Sequence, residues 1–213
     1  MKLTNKVKQG IIEHTRIFIP NHREFFEQFN EHSIIYGRYL LHFINDDDVE
    51  NNTINILTNL ANFRYLHHFL ADNHFSVTQY NGLDISDLSL HTIKKYTNDT
   101  IIYEKSVGDF TLYIHVIKTA NVYNYLNYNI KLKIEQNYFN GSLIVLPFKK
   151  YTICKYEVND RIKLNDQKIT RKIAYYMKCG YSFKIITNNE KIVFKSHNYK
   201  HYKYYLNLIK YYF

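Results

Sequence analysis

The chain has 213 residues, a formal net charge of +9, 46% hydrophobic and 22% charged residues, a size and balance that suit one folded domain with at most an appendage. They exclude disorder as the main state, a linear peptide and a multidomain machine. Asparagine (24), isoleucine (26), lysine (22) and tyrosine (22) are abundant while alanine appears only four times, an end-to-end bias that reads as A+T-rich coding sequence rather than as one function.

In chain order, Asn21 stands before His22–Phe29 with an early acid, Glu24, and apolar residues at 25, 26 and 29, which predicts a short capped helix. Ser33 to Ile44, entered through Gly37, is predicted as a second helix. Thr53 to Leu57 alternates and is β-branched, a strand pattern. Asn59 to Asp72 returns to helical spacing through Leu60, Phe63, Leu66, Phe69 and Leu70. Two β-rich runs, Thr100–Glu104 and Phe110–Ile117, flank Val107-Gly108-Asp109, a hairpin signal. Further strands are predicted at Lys131–Glu135, Ser142–Leu146, Tyr151–Val158 and Tyr181–Ile186, with helices at Asp166–Lys178 and in the tail. Strands and helices mix without strict alternation, so the fold class expected is α+β and not a doubly wound sheet.

Charge is unevenly placed. Residues 1–148 hold 13 Lys and Arg against 15 Asp and Glu, whereas residues 149–213 hold 15 against 4. With no Gly/Ser or Pro-rich linker, a soft boundary near Pro147 is expected, separating a core over 1–148 from a basic, Tyr-rich subdomain over 149–213 packed on it. Such a field attracts polyanions such as nucleic acid, while frequent lysine codons are the plain alternative. The tail from Tyr199 to Phe213 interleaves aromatics with cations, a pattern fit for stacking bases, although Tyr202, Tyr205, Leu206, Ile209 and Tyr212 fall at helical spacing and favour packing.

Two cysteines, Cys154 and Cys179, lack metal-site spacing and sit in apolar or aromatic surroundings, so buried structural thiols are expected. The first eight residues offer no apolar run for a signal peptide, and no window approaches a membrane span. A soluble intracellular protein with reduced thiols and no membrane partner is the expectation. The six glycines are scattered and form no phosphate loop. His67 and His68 point to different helix faces, and His32, His42, His74 and His115 are unaccompanied, so no zinc site is expected.

The order helix, Gly-containing turn, helix, hydrophobic-x-hydrophobic strand, helix and hairpin resembles the nucleotidyltransferase-like domain of giant and large DNA viruses. Ile34 to Ile44, with Gly37-Arg38, resembles that family's Gly-Ser helix. Thr53-Ile54-Asn55-Ile56 resembles its Asp-x-Asp strand, Phe110 to Lys118 its later carboxylate strand, and Asn137 to Gly141 the turn after it. Lys172 to Tyr181 is similar to the viral proteins' basic segment ending in Arg-Gly-Phe. The resemblance covers residues 21–185 and implies a nucleotidyltransferase-like mixed sheet with helices, plus a basic C-terminal α/β extension.

The family's chemistry needs carboxylates about 2.1 Å from Mg²⁺. The matching positions here read Thr53, Asn55 and His115, and the serine after the glycine is Arg38. The resemblance therefore implies a viral pseudoenzyme, retained as a binding, scaffold or regulatory module in host cytoplasm or virion, without metal or cofactor and with a nucleotide, nucleic acid or protein as partner. Phosphate or nucleic-acid contacts are expected from Arg38, Lys149, Lys150, Lys168, Arg171, Lys172 and Lys178. Two alternatives stand beside it. One is an active Mg²⁺-dependent nucleotidyltransferase drawing its acids from Asp46, Asp47 and Asp48 or from Asp109. The other is a nucleic-acid-binding protein acting through residues 149–213.

Overall fold

The computed structural model describes residues 3–46, 52–80, 83–84, 99–154, 158–160, 167–186 and 191–194. It divides the chain into two compact units, one made of 1–129 with 137–145, the other of 130–136 with 146–213. The division near residue 146 accompanies the charge step in the sequence, but the segment 130–136 belongs with the basic unit.

The first unit is built on a sheet of eight strands, β1 (Ser33–Tyr36), β2 (Thr53–Thr58), β3 (Ser76–Tyr80), β4 (Leu83–Asp84), β5 (Thr100–Val107), β6 (Phe110–Lys118), β7 (Tyr138–Phe139) and β8 (Ile144–Val145), in the order β4-β3-β5-β6-β2-β1-β7-β8. Its described pairs are antiparallel except β2 with β6, so the fold is α+β with a mixed sheet. Residue alternation sets the two faces. On one, Ile54, Ile56, Leu112, Ile114, Val116, Ile101 and Tyr103 are buried, while their neighbours Thr53, Asn55, Tyr113 and His115 are half-buried on the other. The β5–β6 hairpin turns in two residues at Gly108-Asp109, with Gly108 at φ +59°, the form whose twist matches that of the strands.

Helices α1 (Leu3–Thr15), α2 (His22–Glu27), α3 (Arg38–Asn45), α4 (Leu60–Asp72) and α5 (Val122–Asn129) complete this unit. The Asn21 side chain accepts from the Glu24 N–H at 3.2 Å and opens α2, and Asn59 accepts from the Asn62 N–H at 2.8 Å and opens α4. Phe25 of α2 stacks on Phe69 of α4 with centroids 5.9 Å apart. Helix α1, not among the elements expected from the sequence, buries Val7, Ile11 and Thr15, one residue per turn. At Gly10 an added Cβ would lie 2.3 Å from the Phe43 ring of α3, so only glycine allows that approach.

Three expectations are corrected. Ser33 to Ile44 is not one helix: Ser33–Tyr36 is a strand and α3 starts after Gly37. β1 lies between β2 and β7 and all four of its residues are buried, so it lacks the alternation that marks a half-exposed strand. Lys131–Glu135 contains a 3₁₀ turn over Lys133–Glu135, because burial of Leu132 and Ile134 imitates a strand's period. Tyr151 to Cys154 is helical within α6 (Lys149–Cys154), where the Thr152 hydroxyl donates to the Phe148 carbonyl at 3.2 Å and satisfies a helical pattern that its β-branched side chain disguises. The predicted tail helix lies outside the described residues.

In the second unit, β9 (Val158–Asp160) pairs in parallel with β10 (Phe183–Ile186), which pairs antiparallel with β11 (Lys191–Phe194), and α7 (Gln167–Lys178) makes the crossover. Thr170, Ile173, Ala174, Tyr176 and Met177 of α7 are buried, and the Tyr176 ring meets Tyr181 edge-on at 5.7 Å. Cys179 is half-buried and outside any disulfide, rather than fully enclosed. No helix among the described residues is long and apolar enough to cross a membrane.

The far end of the β2–β6 pair holds a buried ion pair. Lys118 Nζ lies 2.6 Å from Asp99 Oδ2, both side chains are 2% exposed, and the ammonium stands 5.5 Å from the centre of the Phe63 ring. Removing one partner leaves a buried charge without its counter-ion, so Asp99→Asn is expected to cost about 3–5 kcal/mol in urea denaturation, whereas joint replacement by Asp99→Leu and Lys118→Met recovers most of it.

Candidate functional site

The site is assembled from the open face of the sheet around β2 and β6. β1 leads into Gly37, which has φ +82° and ψ −145°, a backbone region that side chains disfavour. Its N–H donates to the Asn137 carbonyl at 3.0 Å, and its own carbonyl accepts from the Leu40 N–H at 3.1 Å. The chain thereby turns sharply from strand to helix, and Arg38, half-buried, becomes the first residue of α3.

Register then aligns the side chains. Asn55 of β2 is opposite His115 of β6 on one side and Tyr36 of β1 on the other, and Tyr36 is in turn opposite Tyr138 of β7. One residue pair along, Thr53 is opposite Tyr113, which is opposite Glu104 of β5. Paired residues project from the same face at a strand spacing of about 4.8 Å. Thus Thr53, Asn55 and His115, singled out from two separate motifs, fall on one face of two adjacent parallel strands. Near them the Tyr123 ring packs edge-on against Tyr138 at 5.5 Å, and burial pushes the Tyr123 hydroxyl upward in pKa, helped by Tyr138 and Glu31.

Burial also holds His115 below the usual imidazole range, so at neutral pH it is uncharged, one ring nitrogen donating and the other accepting. Asn55 offers an amide and Thr53 a hydroxyl. Glu104 is the acid of the second row, and the Asn55–His115 row runs on through Ile102 and Gln79 to Asp84 of β4, three strands from His115. Glu104 escaped the motif reading, yet the hairpin could have located it, because a two-residue turn that pairs Val107 with Phe110 also pairs Glu104 with Tyr113. A pair of magnesium ions calls for several anionic oxygens at about 2.1 Å. One glutamate with a threonine, an amide and a neutral imidazole does not fit that requirement.

The acidic residues considered as alternatives sit elsewhere. Asp46 ends α3 at φ +53° and pairs with Lys6 of α1 at 2.7 Å, with its side chain 79% exposed, while Asp47 and Asp48 lie outside the described residues. Asp109 occupies the exposed hairpin turn, six residues and about 20 Å of strand from His115. Among the described residues no group of three or more His, Cys, Asp or Glu side chains is arranged to hold a metal ion. His67 donates or accepts at the Tyr103 hydroxyl, 2.8 Å away, and His14 does the same with Tyr39 at 3.1 Å.

The basic residues do not form one set. Arg38 belongs to the first unit, and Lys149, Lys150, Lys168, Arg171, Lys172 and Lys178 to the second. Lys149, Lys150, Arg171 and Lys178 are exposed; of Lys168 only its place on α7 is described. Lys172 is also exposed, yet its Nζ pairs with Glu135 Oε2 at 2.8 Å, while the Tyr176 hydroxyl donates to Glu135 Oε1 at 2.8 Å.

No protein-family model matches the chain, and no curated protein matches it.

Two outcomes are expected here. A Cβ forced into the Gly37 conformation is strained, so Gly37→Ala is expected to lose about 1–3 kcal/mol of stability by urea titration. Burial depresses His14, His67 and His115, so the unfolded chain takes up protons before the folded one does. The stability they confer is complete above the unfolded pKa of about 6.5 and is lost as pH falls through the lower folded values. The urea midpoint is therefore expected to drop as pH is lowered from about 7.5 to about 5, and His67→Gln is expected to flatten that dependence.

Proposed function

We propose that the first unit is a nucleotidyltransferase-like core of the kind found in large DNA viruses, devoid of catalysis and retained as an intracellular binding, scaffold or regulatory module. The observation that carries this reading is the parallel pairing of β2 with β6, which sets Asn55 against His115 beside the Gly37 turn. In support of the reading, β2 and β6 are neighbouring strands next to the Gly37 turn, and the positions matched by resemblance to metal ligands carry the neutral residues Thr53, Asn55 and His115. Such a face can donate hydrogen bonds to a ligand, but it lacks the negative charge that would clamp two divalent ions and lower the pKa of an attacking hydroxyl.

The reading is tested by incubating the purified chain with Mg²⁺ or Mn²⁺ and each labelled nucleoside triphosphate. No transfer to RNA, DNA, protein or a cyclic product is expected. Calorimetric titration supplies a second measurement: the wild type is expected to take up no Mn²⁺ at this face, and the combined replacement of Thr53→Asp, Asn55→Asp and His115→Asp is expected to create binding. Nucleotide transfer by the wild type that disappears in Glu104→Gln would overturn the proposal, since it would place an acting carboxylate on this face.

A further inference from the structure

We propose that the outward stripe of α7 is a docking surface for the phosphate backbone of a nucleic acid. Every residue involved lies in the second unit, so the inference stands apart from the reading of the β2–β6 face. The helix is divided by its own period. Thr170, Ile173, Ala174 and Met177 are buried, whereas Arg171 and Lys178 are exposed with Tyr175 half-buried between them. Position 168 precedes 171 by one turn. The steps of three, four and three place these positions in a line along one face, about 15 Å long at about 1.5 Å per residue. Each strand of a duplex presents a phosphate per about 3.4 Å of axis, so the line spans several phosphates.

Charge bookkeeping points the same way. The second unit holds 17 Lys and Arg against 5 Asp and Glu, a net of +12, and the first unit holds 11 against 14, a net of −3. Lys172 leaves the stripe to neutralise Glu135, which is 9% exposed at its side chain. With that pair set aside, 16 cations face 4 carboxylates within the unit. One-to-one internal pairing therefore neutralises at most a quarter of them, and the remainder sets up a positive field that no acid of the same unit cancels. An anionic membrane is a poorer fit, because surface binding to lipid needs an apolar flank to insert, and Ile173, Ala174, Tyr176 and Met177 of α7 are buried while Ile169 is half-buried. Tyr175 packs edge-on against Tyr176 at 5.4 Å, so the outward stripe offers charge rather than apolar surface, which suits a phosphate backbone.

The test measures binding of the full chain to a fluorescent duplex of about 30 base pairs and random sequence, by anisotropy between about 50 and about 200 mM salt. Affinity is expected to fall steeply with salt. Each phosphate contact contributes about 0.9 to the log–log slope, so Arg171→Gln with Lys178→Gln is expected to reduce its magnitude by about two, and Lys178→Gln alone by about one. Arg171→Lys with Lys178→Arg is expected to keep the wild-type slope. Circular dichroism confirms that each variant is folded. A folded double variant with unchanged slope overturns the assignment, as does the absence of salt-dependent binding by the wild type. Equally tight binding of polyglutamate at matched charge would also sink it, since it would move the surface to acidic proteins.

Discussion

The first unit depends on the parallel contact between β2 and β6. It is the one described place in the eight-stranded sheet where two neighbouring strands run the same way, and a parallel pair must be joined by a long crossover. Here the crossover carries α4, β3, β4 and β5, so most of the unit is wound around that contact. Its far end is tied down by Lys118, whose N–H donates to the Asp99 carbonyl at 2.8 Å while its ammonium meets the Asp99 carboxylate. Two charges taken out of water are tolerable only together, which holds β6 and the start of β5 in one arrangement, while the register that brings Asn55 to His115 is bracketed by the Tyr113 N–H donating to the Asn52 carbonyl at 2.7 Å and the Thr119 N–H donating to the Thr58 carbonyl at 2.9 Å.

That register gives the open face its chemistry. The same alternation that buries Ile54, Ile56, Ile114 and Val116 leaves Thr53, Asn55, Tyr113 and His115 half-exposed. The face is polar, aromatic and nearly free of charge, with Glu104 at its margin. Hydrogen-bonding groups of this kind recognise a ligand by shape and donor pattern, whereas a metal-dependent site concentrates anions. The Gly37 turn, with its positive φ, keeps the N-terminus of α3 next to this face.

The second unit is organised by a different carboxylate. Glu135, supplied by the 3₁₀ turn, receives Lys172 and the Tyr176 hydroxyl from α7. One acid thus fixes the helix in rotation, burying Thr170, Ile173, Ala174 and Met177 and directing Arg171 and Lys178 outward. A single residue from the segment 130–136 thus takes one cation of α7, Lys172, into an ion pair, although the sequence neighbourhood treats Arg171 and Lys172 alike.

Local chemistry was readable directly. The asparagine cap at 21, the apolar period of α4, and the hairpin around Gly108-Asp109 are contained within windows of a few residues, where capping, periodicity and turn preference act without help from the rest of the chain. So was the charge step near residue 147. The strand β1 was misread because its neighbours bury both of its faces, and α6 because β-branched and aromatic residues near Thr152 favour a strand until hydrogen bonds to Phe148 are counted. What the amino-acid order determined on its own was α+β composition, a charge-poor set of residues at 53, 55 and 115, and a basic C-terminal third. Only tertiary structure decided that those three residues share a face and that Lys172 pairs with Glu135. Strand register joins Asn55 to His115, 60 residues away, and the ion pair joins Glu135 to Lys172, 37 residues away, and no local pattern records such distances.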